Sequence, residues 1–173
     1  MANTYVLIAS NTLSTTTASV TFSSIPGTYT DLVVRVSARS VRSAASFDDL
    51  RLRLNNLTAG NPYPTTVLQG SGSAASSTRY AYNAMFAENT VPAANATSNT
   101  FGTAEYYIPN YNSSTTKQVS QLSISETNAS TAYINASAVL FNDTTAITRI
   151  DLLLNWSSFA SGSSFFLYGI KNS

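Results

Sequence analysis

Two residue types are missing from the 173-residue sequence, cysteine and histidine. Without cysteine, the chain has no disulfide bond, no thiolate catalysis and no cysteine-ligated zinc. Without histidine, it lacks the side chain that titrates near neutral pH and serves most often as a general base or a transition-metal ligand. The usual catalytic triads are excluded as well. We therefore predict no metal site, no cofactor, and a structural or binding role rather than an enzyme.

Charge is also scarce. Charged residues make up 10% of the chain and the formal net charge is +1, whereas an average domain is roughly 25% charged. A protein with so little net charge has a weak electrostatic field, which attracts neither nucleic acid nor an acidic membrane. We therefore predict neither as a partner. The acidic residues include one adjacent pair, Asp48 and Asp49. On a strand these would point to opposite faces, which is poor geometry for two carboxylates acting on one bond.

Long apolar runs are absent too. No stretch approaches the roughly 18 apolar residues of a membrane-spanning helix, and we expect no secretion signal, since no basic segment precedes an apolar one at the N-terminus. The chain shows no internal repeat and no break in composition. Its length suits one domain, which we predict to span residues 1–173.

In many segments of the sequence, hydrophobic residues occupy every second position. Hydrophobic residues make up 43% of the chain, which argues against disorder, and they alternate with polar ones as in half-buried strands. Clear apolar alternation occurs in 32–38, 50–54, 80–86, 122–124 and 150–156. Weaker strand candidates lie at 4–9, 17–23, 101–108, 131–141 and 163–170. About eight to ten short strands between turn-rich segments predict an all-β fold, an antiparallel β-sandwich that is jelly-roll-like.

This alternation also assigns faces. Leu122 and Ile124 fall on one apolar face, and we expect Trp156, Phe165 and Phe166 in the core. Two stretches, 57–77 and 87–100, are rich in Gly, Ser, Ala, Asn and Pro. We predict two long loops there, which would either contact a partner or be tolerated insertions.

The basic residues cluster. Arg35, Arg39, Arg51 and Arg53 would share one exposed face if their two strands pair. Such a patch suits docking on an acidic partner surface, where arginine is favoured. The alternative is a solvated strand face that discourages edge-to-edge association.

Tyrosine is plentiful, with ten in the chain. Tyr106, Tyr107 and Tyr111 stand close together, so at least one ring is exposed whichever face is buried. Tyrosine offers a large apolar plane with a polar tip, which suits both sugar stacking and protein interfaces. We take these three as candidate interface or ligand aromatics, and their spacing leaves both roles open.

Both ends of the chain carry recognisable motifs. Residues 19–26 read SVTFSSIP, residues 29–35 read YTDLVVR, and residues 167–171 read LYGIK. The sequence in these segments resembles small β-sandwich virion proteins of tailed bacteriophages, whereas the middle, roughly 57–130, shows no such likeness. The resemblance implies a capsid decoration (cement) protein or a module of a tail fibre or spike. It supplies no catalytic residues.

Two roles follow from this resemblance. The first is a decoration protein that binds the major capsid protein or another virion protein as a homo-oligomer, with a trimer expected. It would be assembled in the bacterial host cytoplasm and reside in the virion. The alternative is a carbohydrate-binding receptor-recognition module of a tail or head fibre, with a bacterial surface glycan as partner. A compact chain without a fibrous shaft favours the first, and the surplus of Tyr and Asn in loops motivates the second.

Overall fold

The computed structural model of the protein describes residues 4–43, 45–128 and 131–171, and within these ranges it contains strands and turns but no helix. No helix capable of spanning a membrane is therefore found in them. The strands are β1 (Tyr5–Thr12), β2 (Ser19–Phe22), β3 (Asp31–Ala38), β4 (Phe47–Asp48), β5 (Leu50–Leu54), β6 (Tyr63–Gly70), β7 (Ala75–Tyr82), β8 (Met85–Phe86), β9 (Val91–Pro92), β10 (Gly102–Ile108), β11 (Lys117–Ser125), β12 (Tyr133–Phe141), β13 (Ile150–Leu154) and β14 (Ser164–Ile170).

These strands form two main antiparallel sheets. The larger sheet has eight strands in the order β1-β14-β3-β10-β11-β12-β6-β7, and the smaller has four in the order β2-β13-β5-β8. A separate pair, β4 and β9, lies beside them. The predicted all-β, antiparallel sandwich is confirmed, and the jelly-roll arrangement stays a prediction.

The core lies between the two sheets. Leu50, Leu52 and Leu54 of the smaller sheet are fully buried, in one cluster with Leu32 and Val34 of the larger sheet. Each fully buried side chain of this kind contributes about 1.5–3 kcal/mol through removal of its apolar surface from water. The alternation predicted for 32–38 and 50–54 therefore sets the core as expected.

The strands outnumber the prediction, with fourteen in the described ranges. Three of them, β4, β8 and β9, are only two residues long. The other difference is at 57–77, where the prediction of a long loop is wrong. Most of that stretch belongs to the hairpin of β6 and β7. The part of β7 inside that stretch, residues 75–77, is fully exposed and carries no apolar alternation that the sequence could show.

Asparagine has a structural role in this fold. Among the residues that the structure describes, seven of the eight non-glycine residues with positive φ are asparagines, including the adjacent Asn55 and Asn56. Asparagine tolerates the left-handed conformation better than other residues with a side chain, so it suits turns that demand it. Much of the loop asparagine thus shapes the backbone.

Two of the segments that carry the resemblance meet at one end of the sandwich. The ring of Tyr29 lies directly on the backbone of Gly169, where an added Cβ would come within 2.3 Å of the tyrosine Cγ. Only glycine permits this approach. Next to it, the Asp31 carboxylate accepts hydrogen bonds from the Tyr107 hydroxyl at 2.8 Å and the Asn110 amide at 2.9 Å. The shared motifs therefore stabilise the fold at this end.

Candidate interaction surfaces

The predicted arginine patch does not form. Arg35 lies on β3, which pairs with β10 and β14 in the larger sheet, whereas Arg51 and Arg53 lie on β5, which pairs with β13 and β8 in the smaller sheet. Their side chains point outward from opposite sides of the sandwich. The expectation that these three and Arg39 share one face is therefore wrong, because the chain crosses from one sheet to the other between β3 and β5.

Arg39 is used inside the fold. Its guanidinium donates hydrogen bonds to the backbone carbonyls of Thr97 at 2.8 Å, Thr100 at 3.0 Å and Ala96 at 3.0 Å. These bonds fasten the segment 87–100 to the end of β3. This long loop is therefore packed into the molecule.

Arg35 is neutralised where it stands. Its Nε lies 2.8 Å from Oε2 of Glu105, and both side chains are about half exposed. The guanidinium also lies over the rings of Tyr5 and Tyr168, at 5.7 Å and 5.9 Å from their centroids. The hydrogen bond with Glu105 raises the pKa of Arg35 further above the physiological range. This arginine thus presents no free positive charge for an acidic partner.

The three candidate tyrosines have different environments. Tyr106 and Tyr111 are fully buried, so their expected role as surface aromatics is wrong. Burial raises the pKa of Tyr106, and the Tyr111 hydroxyl donates to the Pro26 carbonyl. Tyr107 alone faces outward, at 37% exposure. The reason is the period of two: Tyr106 points into the core, and the turn after β10 folds Tyr111 back beneath it.

The strands β11 and β12 turn polar side chains inward. Gln121 and Ser123 of β11 and Asn135 and Ser137 of β12 are all buried. Ser137 Oγ donates to Gln121 Oε1 at 2.5 Å, and Asn135 Nδ2 lies 3.4 Å from Ser123 Oγ. Hydrogen bonds between these side chains therefore replace apolar packing beneath this part of the sheet.

The segment 87–100 explains this polarity. The backbone carbonyl of Glu88 lies over the inner face and accepts hydrogen bonds from the amides of Gln69 and Asn135, each at 3.2 Å. Gln69 Nε2 also donates to Asn135 Oδ1 at 2.9 Å. A carbonyl directed at a sheet face needs a donor there, and an apolar strand face would offer none. The loop thus takes the place of a strand of the smaller sheet and requires amide side chains opposite it.

The outer face of the same strands is apolar. Leu68, Leu122, Ile124 and Ile134 are 61%, 49%, 46% and 51% exposed. Ala136 lies opposite Leu122 on one side and Leu68 on the other, and Ile134 lies opposite Ile124. The expectation that Leu122 and Ile124 face the core is therefore wrong, although their strand was predicted correctly. We call these five residues the apolar face.

Open grooves run along the apolar face. One has a volume of about 440 Å³ and extends from Leu68 and Leu122 to Tyr107 and Glu105. A second, of about 280 Å³, is lined by Leu68, Leu122 and Ile134. Exposed apolar surface rimmed by polar groups marks interaction sites in soluble proteins.

A different surface covers the outside of the smaller sheet. Arg51 and Arg53 point outward from β5, and neither guanidinium forms a hydrogen bond or ion pair with any residue of the described ranges. The guanidinium of Arg51 lies 5.1 Å above the ring of Phe86. The neighbouring Tyr82 is 44% exposed. The sequence predicted correctly that both arginines lie on the polar side of one strand, and their role in docking stays a prediction.

The single tryptophan lies at the rim of that surface. Trp156 is 63% exposed, so its expected place in the core is wrong; β13 ends at Leu154, and the alternation ends with it. Its Nε1 donates to Asp49 Oδ2 at 3.2 Å and its backbone amide to Asp48 Oδ1 at 3.2 Å. The Arg42 guanidinium lies 5.1 Å from the ring centroid. The ring is therefore exposed and held in one orientation.

The two adjacent carboxylates have separate tasks. Asp48 is fully buried and also accepts a hydrogen bond from Ser40 at 2.7 Å. Burial raises the pKa of its carboxyl above the ordinary value, against the opposing effect of its hydrogen bonds. Asp49 is also buried, at 8% exposure, and its carboxylate accepts hydrogen bonds from Asn155 Nδ2 at 3.0 Å and from the Asn89 backbone amide at 2.9 Å. We call Asp49, Arg51, Arg53, Asn155 and Trp156 the tryptophan face.

The described ranges contain no group of three or more acidic side chains placed to hold a metal ion. Comparison of the chain with protein-family models, with curated proteins and with solved structures finds no match.

Proposed function

We propose that this protein is a structural protein of a bacteriophage particle, a capsid decoration protein that acts as a homo-oligomer and catalyses no reaction. The observation that carries the proposal is the apolar face. Five apolar residues lie side by side on three adjacent strands and remain exposed in the single chain. Soluble proteins rarely leave a contiguous surface of this kind uncovered unless it meets a partner.

The partner proposed for the apolar face is a second copy of this chain. The nearest charges, Arg35 and Glu105, neutralise each other across 2.8 Å, so the surface neither selects a charged partner nor repels its own copy. Interfaces between identical subunits are more apolar than transient ones. In a trimer, three such faces would meet around a common axis.

The motifs at both ends of the chain support the virion setting. They resemble β-sandwich proteins of tailed phages, in which this kind of domain covers the head or forms part of a fibre. A fibre module that recognises a bacterial glycan is the second candidate. The exposed and fixed ring of Trp156 favours it, because such a ring can stack on a sugar.

The first experiment tests the apolar face. We expect purified protein to show the mass of an oligomer, with a trimer proposed, by size-exclusion chromatography with light scattering. The double variant Leu122→Lys, Ile134→Lys should be a monomer with an unchanged circular-dichroism spectrum. The matched control is Leu7→Lys, an equally exposed apolar residue on β1 at the far edge of the same sheet, which should leave the mass unchanged. A monomeric wild type would overturn the proposed self-association.

The second experiment tests the role. In intact particles of a phage that encodes the protein, cryo-electron microscopy and quantitative mass spectrometry should find it on the outer head surface in many copies. A few copies confined to the tail or fibres would instead support the receptor-recognition module. Its absence from the particles would overturn both.

A further inference from the structure

We propose that the tryptophan face binds an acidic saccharide, with Trp156 stacking on a sugar ring and Arg51 and Arg53 binding its carboxylates. This surface lies on the opposite side of the sandwich from the apolar face. The inference rests on neither the oligomer nor the virion setting.

The ring of Trp156 is prepared for stacking. It is the most exposed large apolar side chain in the described ranges, yet three contacts restrain it, with Asp48, Asp49 and Arg42. An exposed ring that is already ordered loses little conformational entropy when a ligand binds. A freely rotating surface tryptophan would lack this advantage.

The two arginines have unused hydrogen-bonding capacity. Other arginines of the chain are engaged, Arg149 with Asp151 at 2.7 Å and Arg35 with Glu105 at 2.8 Å. Arg51 and Arg53 carry no such bond within the described ranges, and the Nε of each is buried without a partner. Stacking on Phe86 holds the Arg51 guanidinium flat. A planar guanidinium binds a carboxylate through two parallel hydrogen bonds, which gives both affinity and orientation.

The groups lie within reach of one short ligand. Trp156 Nε1 is 3.2 Å from Asp49 Oδ2, Asp49 lies directly before β5, and Arg51 and Arg53 occupy alternate positions along β5. Alternate residues of a strand face the same side, about 6.6 Å apart. An oligosaccharide of a few units that stacks on the indole can therefore reach both guanidinium groups.

The charge pattern favours an acidic saccharide over a nucleic acid or an acidic peptide. Asp49 lies between the tryptophan and the arginines, and Asp151 lies opposite Arg53 on β13. A polyphosphate or polyglutamate chain would place repeated negative charges against these carboxylates. An acidic saccharide separates its carboxylates by neutral rings, so it can present one to an arginine without placing another against Asp49 or Asp151. Sugars also present the flat C–H surfaces that aromatic rings bind.

The only tryptophan of the chain provides the measurement, because its fluorescence reports on this surface alone. Titration with an oligogalacturonate, a linear chain of uronic acids, should give a saturable change in emission. A neutral maltooligosaccharide of equal length should bind at least about tenfold more weakly, since it lacks the groups that the arginines would bind.

Variants separate the contributions. Arg51→Gln and Arg53→Gln should each weaken binding of the oligogalacturonate about five- to tenfold, as expected for loss of a charge-assisted bond. Trp156→Ala, followed by calorimetry, should remove detectable binding. The matched control Arg79→Gln changes an exposed arginine on β7 of the larger sheet and should have no effect. Unchanged circular dichroism in each variant would show that the fold is intact.

Several outcomes would overturn the inference. One is no saturable change up to about 10 mM oligogalacturonate, where even a dissociation constant near 1 mM would be visible. Another is equal or tighter binding of oligothymidylate or polyglutamate, which would assign the surface to a different class of partner. A third is equal affinity for inorganic phosphate, which would reduce the site to a simple anion site. The monomeric Leu122→Lys, Ile134→Lys variant should bind as the wild type does, so this test and that of the oligomer can fail separately.

Discussion

The strands β3 and β11 lie in the same sheet with only β10 between them, yet they bury opposite kinds of side chain. β3 buries Val34 and Val36 against the smaller sheet and exposes Arg35. β11 buries Gln121 and Ser123 and exposes Leu122. The half of the larger sheet around β3, β10 and β14 follows the ordinary rule for a sandwich. In the other half the rule is reversed around Gln121 and Asn135 of β11 and β12, whereas Val119 and Val139 of the same strands still lie in the core.

The polar inner face and the apolar outer face of these strands have different causes. The smaller sheet ends at β8, so the inner face of β11 and β12 meets the backbone of the segment 87–100 and needs donors for its carbonyls. That accounts for the buried amide of Asn135, whereas Gln121 and Ser137 bond to each other. It does not account for the leucine and isoleucine outside. Apolar residues gain nothing from facing water, which is why we propose that another molecule covers them.

The largest loss of stability is expected in the half of the larger sheet that buries apolar side chains against the smaller sheet. Phe165 of β14 is fully buried and packs edge-to-face on Phe159, with ring centroids 4.9 Å apart. Phe165→Ala should lower the free energy of unfolding by about 3–5 kcal/mol, because it removes apolar contacts and leaves a cavity. Urea unfolding followed by circular dichroism measures this.

The neighbouring residue is the control. Phe166 points to the outer face, where it stacks on Tyr168 at 6.4 Å, so its expected place in the core is wrong. Phe166→Ala should cost less than about 1 kcal/mol, as is usual for a substitution near the surface. Equal losses for the two variants would contradict the assignment of inner and outer faces in this half.

A smaller loss of stability is expected in the other half, where the buried side chain that is removed is polar. Asn135 is fully buried and bonds to Gln69, Ser123 and the Glu88 carbonyl. Asn135→Ala should lower the free energy of unfolding by about 2 kcal/mol, since it leaves buried polar partners without a hydrogen bond. Thermal and urea unfolding at a concentration where the protein is monomeric would measure it.

Here the apolar neighbour is the control. Ile134→Ala removes more apolar surface than Asn135→Ala, but Ile134 is half exposed in the single chain. Its expected cost is within about 0.5 kcal/mol. If Ile134→Ala proved the more destabilising of the two in the monomer, the reversal of faces in this half would be refuted.

The reversal also shows what a pattern can predict. The alternation at 122–124 identifies a strand correctly, because a period of two needs only neighbouring residues. It does not identify the buried side, since a shift of one residue exchanges the two faces. Which face is buried depends on the residues that cover it, here the segment 87–100, distant in sequence. For 32–38 and 50–54 the same pattern gave the right face because an apolar sheet covers each.

The candidate sites were harder to predict for the same reason. Arg51 and Arg53 were correctly taken as exposed on one strand, but grouping them with Arg35 required knowledge of strand order, which the sequence does not carry. Tyr111 and Trp156 were misplaced because both lie just beyond a strand end, where alternation no longer applies. No pattern in the sequence predicts that Trp156 is exposed. Its position depends on its hydrogen bond to Asp49, 107 residues away.

The smallest change in stability is expected at the boundary between the two halves of the larger sheet, where Arg35 and Glu105 form an ion pair beside Leu122. The double variant Arg35→Leu, Glu105→Leu should change the free energy of unfolding by less than about 1 kcal/mol, because exposed ion pairs contribute little. It also extends the apolar face from β11 across β10 to β3, so self-association measured by sedimentation should become tighter. The control Arg149→Leu, on the smaller sheet's side, removes an arginine and its ion pair away from this boundary and should leave association unchanged. If the double variant associated more weakly than the wild type, the charged pair would itself be part of the interface, and the two halves would act as one surface.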